Sequence, residues 1–153
     1  MESIWVERGL PNAQAKAIKS RIEAIIFPIP AGDNSPQALR AFWSAKFLAD
    51  GWAKNYTLPN SNLTISYCSE EVGVCVQLGN IGRLYADLLK LELLYRLGRI
   101  RLGVLVVPTD DYAASMGSNY TSLSRASRDI KTLEQALGLP LLLISVDADR
   151  GQF

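Results

Sequence analysis

The sequence predicts an α/β fold, a mixed β-sheet flanked by helices on both faces, and three observations carry that expectation. The runs LGVLVVP and PLLLISV are apolar without a break, the pattern of strands that helices cover on both sides. Upstream of them NLTISYC and GVCVQL alternate apolar and polar residues around SEEVG, the pattern of a hairpin with two different faces. Around these lie stretches whose apolar residues recur every three or four positions. The order is helix, helix, hairpin, helix, strand, helix, strand, so helices must cover both faces of the sheet.

The first helical stripe is Ala15, Ile18, Ile22 and Ile25, which predicts a helix over residues 12–26. FPIPAGDNSP then breaks the period with three prolines and a glycine. Ser35 stands where an N-cap belongs and Pro36 where a first helical turn begins. Leu39, Phe42, Trp43, Phe47 and Leu48 mark this second helix, expected from 36 to about 54 with its end near Gly51 and Trp52.

In the hairpin, Glu70 and Glu71 as central turn residues place Ser66 directly opposite Cys75. Leu63, Ile65, Tyr67, Val74, Val76 and Leu78 then share one face, and Thr64, Ser66, Cys68, Cys75 and Gln77 the other. Gly79 and Asn80 start a helix to about Leu97. With Leu84, Tyr85, Leu88, Leu89, Leu91, Leu93 and Leu94 it is apolar nearly all round, and needs burial in the core or at a subunit contact. Leu123, Ala126, Ile130, Leu133 and Leu137 predict another amphipathic helix, closed by Gly138 and Pro140. The polar segment DDYAASMGSNYT, residues 110–121, reads as a loop placed for substrate or subunit contact.

Bulk properties exclude several classes. A chain of 153 residues suits one domain, with residues 1–35 as N-terminal helix and linker and 36–153 as core. Hydrophobic residues at 48% and charged residues at 20% argue against disorder. There is no histidine, which removes every imidazole mechanism, and two cysteines fit no zinc spacing. The start of the chain lacks the basic and apolar run of a leader, and no apolar stretch spans a membrane, which predicts a cytoplasmic protein. A net charge of +1 exerts no overall pull on nucleic acid, although cations can be segregated onto one face.

The hairpin, the Gly-Asn after it, the helix carrying Arg83, Asp87 and Lys90, and the strand LGVLVVP together resemble restriction endonucleases of the BglII and BamHI type, within the PD-(D/E)XK nuclease superfamily. The resemblance runs from about Phe42 to Val146 and implies a restriction-endonuclease-like sheet. It further implies a homodimer, double-stranded DNA as partner and an active centre on the hairpin. In that family the first strand contributes an Asp and the second a Glu nine residues later, followed two positions on by Glu, Gln or Lys. Here those positions hold Ser66, Cys75 and Gln77.

The spacing survives and the two acids do not. A hydroxyl and a neutral thiol are poor ligands for Mg²⁺, so the resemblance implies a pseudonuclease with no cofactor, a DNA-binding domain without metal-dependent cleavage. Restoring the acids with Ser66→Asp and Cys75→Glu is expected to create Mg²⁺ binding. Two alternatives stay open. One is an active Mg²⁺-dependent endonuclease with a relocated acid, Glu92, Glu70 or Glu71. The other is a protein-interaction module or inhibitor on a nuclease scaffold. Asn80, Arg83, Lys90, Arg125, Arg128 and Lys131 are the candidate DNA contacts. For the charged ones among them, helix-surface pairs or a solvated face are the plain alternative.

Overall fold

The computed structural model describes residues 3–6, 12–27 and 29–147. The ends of the expected 1–153 domain lie outside it, as do residues 7–11 and Pro28 of the expected linker. The chain runs β1 (Ser3–Val6), α1 (Asn12–Ile26), α2 (Pro36–Ala49), β2 (Ala53–Thr57), β3 (Thr64–Cys68), β4 (Val72–Val76), α3 (Gly82–Arg96), β5 (Leu102–Pro108), α4 (Asp110–Met116), α5 (Leu123–Leu133) and β6 (Leu141–Val146). The strands form one sheet in the order β1-β6-β5-β4-β3-β2. β4, β5 and β6 are parallel, and β1, β2 and β3 are antiparallel to their neighbours. This is the expected mixed sheet.

Each face of the sheet has its own apolar layer. On one side α1 and α2 bring Ile22, Ile26, Leu39, Trp43 and Phe47 onto Tyr67, Val74, Val104, Val106, Leu142 and Ile144. On the other, α3 and α5 bring Leu84, Leu88, Leu91, Ala126 and Ile130 onto Ile65, Cys75, Leu105 and Leu143. β5 and β6 are buried throughout, as uninterrupted apolar runs require. α3 approaches the sheet over glycines: a Cβ on Gly103 would lie 2.6 Å from Leu139 and 3.2 Å from Leu91. Ser35 caps α2 by accepting from the Ala38 N–H, as its position predicted.

Four expectations need correction. α2 stops at Ala49, because Gly51 takes a left-handed φ of 87° that ends the helix. The chain turns there into β2, an edge strand. Residues 110–121 are not one loop: Thr109 caps α4 by accepting from the Tyr112 N–H, and Tyr112 and Ala113 are buried. Ser3–Val6 pairs with β6, so the stretch before α1 contributes a strand. Finally, Ile65 and Tyr67 do not share a face. Tyr67 joins the α1/α2 layer and Ile65 the α3/α5 layer.

The reason for the last difference lies in the ladder. β3 and β4 pair regularly at Tyr67 with Val74 and at Cys68 with Gly73. Beyond that the Ser66 hydroxyl, in place of a backbone carbonyl, accepts the Val76 N–H at 2.9 Å. On the neighbouring strand Asn55 has a left-handed φ of 51°. The strands part at this point, and a cleft opens between them.

Candidate functional site

The cleft, of about 380 Å³, is lined by residues of α2, β2, β3, β4 and α3. Ser66 and Gln77 of the hairpin line it, and so do Arg83 and Lys90. Cys75 does not. The register sets it opposite Ser66, but its side chain is 1% exposed and lies in the layer beneath, among the leucines of α3. Burial, with the Asp87 charge adding to it, pushes the Cys75 thiol well above its ordinary value. This sulfur is a neutral core atom and offers no thiolate to a soft metal. Cys68 is also buried and free, its thiol pushed by burial up to about 11.

The cleft does contain a carboxylate, that of Asp87. Its side chain is 14% exposed, accepts from Gln77 Nε2 at 2.8 Å and pairs with Lys90 at 3.4 Å. Burial raises the Asp87 pKa, and Lys90, Gln77 and Arg83 only partly offset that. Gln77, 3% exposed, is fixed at both ends of its amide, because its Oε1 accepts the Gly79 N–H at 3.1 Å. The sequence held a signal for this acid. Arg83, Asp87 and Lys90 follow one another at spacings of four and three, which places them on one face of α3.

The proposed relocated acids lie elsewhere. Glu92 is buried on the far part of α3, where its carboxylate accepts the N–H groups of Gly138 and Leu139 and pairs with Arg96. Glu70 and Glu71 occupy the β3–β4 turn, at the other end of β4 from Gln77, where Glu71 pairs with Arg101. Asn80 accepts the Gly82 N–H with its side chain and bridges to Tyr120. Arg125, Arg128 and Lys131 sit on α5 and do not line the cleft, and Arg128 pairs with its neighbour Asp129.

Two further polar residues of the cleft, beside Asp87, carried no local signal in the sequence. Arg40 comes from α2 and Asn55 from β2, and only the tertiary fold brings them to the hairpin. Arg40, Arg83 and Lys90 thus bring three cations to a cleft that holds one carboxylate. The centre that the resemblance implies would hold Mg²⁺, and the residues present do not fit it. Mg²⁺ is usually held by one or two carboxylates, and here the charge of the single one is already balanced by Lys90, with Arg40 and Arg83 in the same lining. That carboxylate accepts from Gln77 and pairs with Lys90, and the amide oxygen of Gln77 accepts the Gly79 N–H. Among the described residues no group of three Cys, Asp or Glu side chains is placed to hold a metal. None of the described helices is long and apolar enough to cross a membrane.

Comparison with known proteins places this geometry. The family model for restriction endonuclease BglII/BglIII matches residues 12–146. Among solved structures, restriction endonuclease BglII complexed with a DNA 16-mer superposes with a TM-score of 0.76 at 13% identity, covering 96% of this chain and 77% of that one. Free BglII superposes with a TM-score of 0.67 at 15% identity, covering 95% and 79%. No curated protein sequence matches the chain.

Proposed function

Because the chain belongs to the BglII/BglIII restriction endonuclease family, we propose that it is a pseudonuclease, binding double-stranded DNA on the family scaffold without metal-dependent cleavage. The observation that carries this reading is the inverted charge of the cleft. Where cleavage needs acids to hold a cation, Arg40, Arg83 and Lys90 line a cleft whose single carboxylate, Asp87, accepts from Gln77 and pairs with Lys90. Such a lining attracts phosphate and repels a free divalent ion. The test is incubation of supercoiled plasmid with excess protein and Mg²⁺ or Mn²⁺. No nicking above buffer is expected. Nicking that disappears in Asp87→Asn would contradict the proposal and make Asp87 the relocated acid of a live endonuclease.

The same reading includes a homodimer. α3 buries Leu84, Leu88, Leu91 and Leu94, but its opposite side leaves Leu89 at 69%, Leu93 at 43% and Leu97 at 50% exposure. These three stand four residues apart and form one apolar stripe. Pairing of two such stripes would be the subunit contact, one of the two burials, core or subunit contact, that the apolar sequence of this helix left open. Sedimentation equilibrium is expected to give a dimer for the native chain and a monomer for Leu89→Glu with Leu93→Glu. A native monomer at tens of micromolar would rule the contact out.

A further inference from the structure

We propose that Arg40 and Arg83 form a metal-independent clasp for a phosphodiester of the DNA backbone. In this clasp two guanidinium groups stand in for the cation that the family's acids would hold. The inference rests on the DNA-binding reading and adds to it a site and a mode of binding. Its starting point is a convergence of charge. A Cβ built on Gly79 would lie 3.9 Å from Arg40 Nη2 and 3.9 Å from Arg83 Nη1, so the two nitrogens lie within twice that distance of each other. They come from separate elements, α2 and α3, and both line the cleft.

Neither guanidinium pairs with a carboxylate among the described residues, in contrast to Arg21, Arg96, Arg101 and Arg128. Two like charges held toward one point repel each other, and an anion between them turns that cost into attraction. Lys90 does not compete for this role, because it pairs with Asp87 at 3.4 Å.

The chemistry of the site selects a phosphodiester. Guanidinium forks match the two free oxygens of a phosphate with parallel N–H donors. Ser66, Thr64 and Asn55 line the same cleft with further polar groups. Gly79 leaves the approach clear, because any side chain there would sit 3.3 Å from Gln77 Oε1 and between the two arginines. The DNA backbone therefore meets positive charge directly, and its binding needs no divalent ion.

The experiment is fluorescence anisotropy of a short labelled duplex in chelator, with the native chain, Arg40→Gln, Arg83→Gln, the double variant, and Arg101→Gln, which pairs with Glu71 at the β3–β4 turn, as a control on another surface. The double variant is expected to bind about thirtyfold more weakly and to lower the salt slope by roughly one to two. Arg101→Gln is expected to change affinity by less than about threefold. Mg²⁺ at constant ionic strength should not strengthen binding. Should the double variant fail to fold, the exposed Arg83→Gln alone is expected to cost about fivefold.

Native binding in chelator that the arginine variants leave unchanged would overturn the clasp while the DNA-binding reading stands. Binding that appears only with Mg²⁺ would overturn it too, since a metal would then hold the phosphate. Absence of DNA binding in either condition would end both. Complete displacement by about 10 mM inorganic phosphate at fixed ionic strength would assign the arginines to a free anion and overturn the diester.

Discussion

Replacing Cys75 with Glu is expected to destabilise the fold by about 3–5 kcal/mol, the cost of leaving a charge uncompensated in the interior. At this chain length that lowers the melting temperature by roughly 10 °C. The cause is the position of Cys75, 1% exposed among Leu84, Leu88 and Leu91. Its nearest charges are of opposite effect, Asp87 pushing its pKa up and Lys90 drawing it down, and Lys90 is already paired. The introduced carboxyl would have its pKa raised by burial. Its neutral form is the tolerated one, so the deficit shrinks as pH falls below that raised pKa and is full above it.

Thermal melts of Cys75→Glu at neutral and mildly acidic pH check this. A variant as stable as the native chain at neutral pH would mean that position 75 reaches the cleft. The acid position would then still be open, and the pair Ser66→Asp with Cys75→Glu would be expected to bind Mg²⁺. With the thiol buried as it is, restoring both acids is instead expected to give a destabilised protein before it gives a metal site.

Glu92→Ala is expected to cost about 2–4 kcal/mol, because it strips acceptors from two backbone N–H groups at once. Glu92 is 5% exposed; its Oε2 accepts the Gly138 N–H at 2.9 Å and the Leu139 N–H at 3.0 Å, and its Oε1 pairs with Arg96 at 2.9 Å. Burial alone would raise this carboxyl, but Arg96 and the two N–H groups outweigh it and hold the pKa below the ordinary 4.5. A depressed folded pKa stabilises above the unfolded value and loses that contribution as pH falls through the folded one. The difference between native and Glu92→Ala should therefore be largest near neutrality and fade in acid. Glu92→Gln keeps one acceptor and should lose less. DNA affinity of the folded fraction should not change, and a selective loss of activity with stability intact would instead mark Glu92 as the relocated acid.

Much of the fold was legible because its signals are local. α1 carries a complete stripe, β5 and β6 are uninterrupted apolar runs, and the Glu70–Glu71 turn follows from two alternating strands around it. Two of the elements that escaped, β2 and α4, bury too little to repeat a pattern. In β2 only Tyr56 is as much as half-buried, since an edge strand shows most of its side chains to solvent. α4 has seven residues, of which Tyr112 and Ala113 are buried, too few to mark a helical stripe.

The site was legible in its spacing and not in its geometry. Period two puts Ser66, Cys75 and Gln77 on one face, but the ladder opens where Ser66 takes the Val76 N–H. Ser66 and Gln77 therefore line the cleft while Cys75 stays in the core. Arg40 lies 26 residues before Ser66 in the sequence, on a helix read for its apolar stripe. No local pattern assigns it to the hairpin. Asp87 had such a pattern, since it shares a helix face with Arg83 and Lys90.

The most direct measurement is the salt dependence of binding of a mixed-sequence DNA duplex to the native chain, followed by anisotropy with chelator present throughout. The account predicts affinity at low salt that falls steeply and linearly in log–log form as salt rises, the mark of phosphate contacts made by the protein's own cations. Absence of binding in chelator, at salt low enough to favour every phosphate contact, would contradict it. The family scaffold would then have been kept for a protein partner and not for DNA.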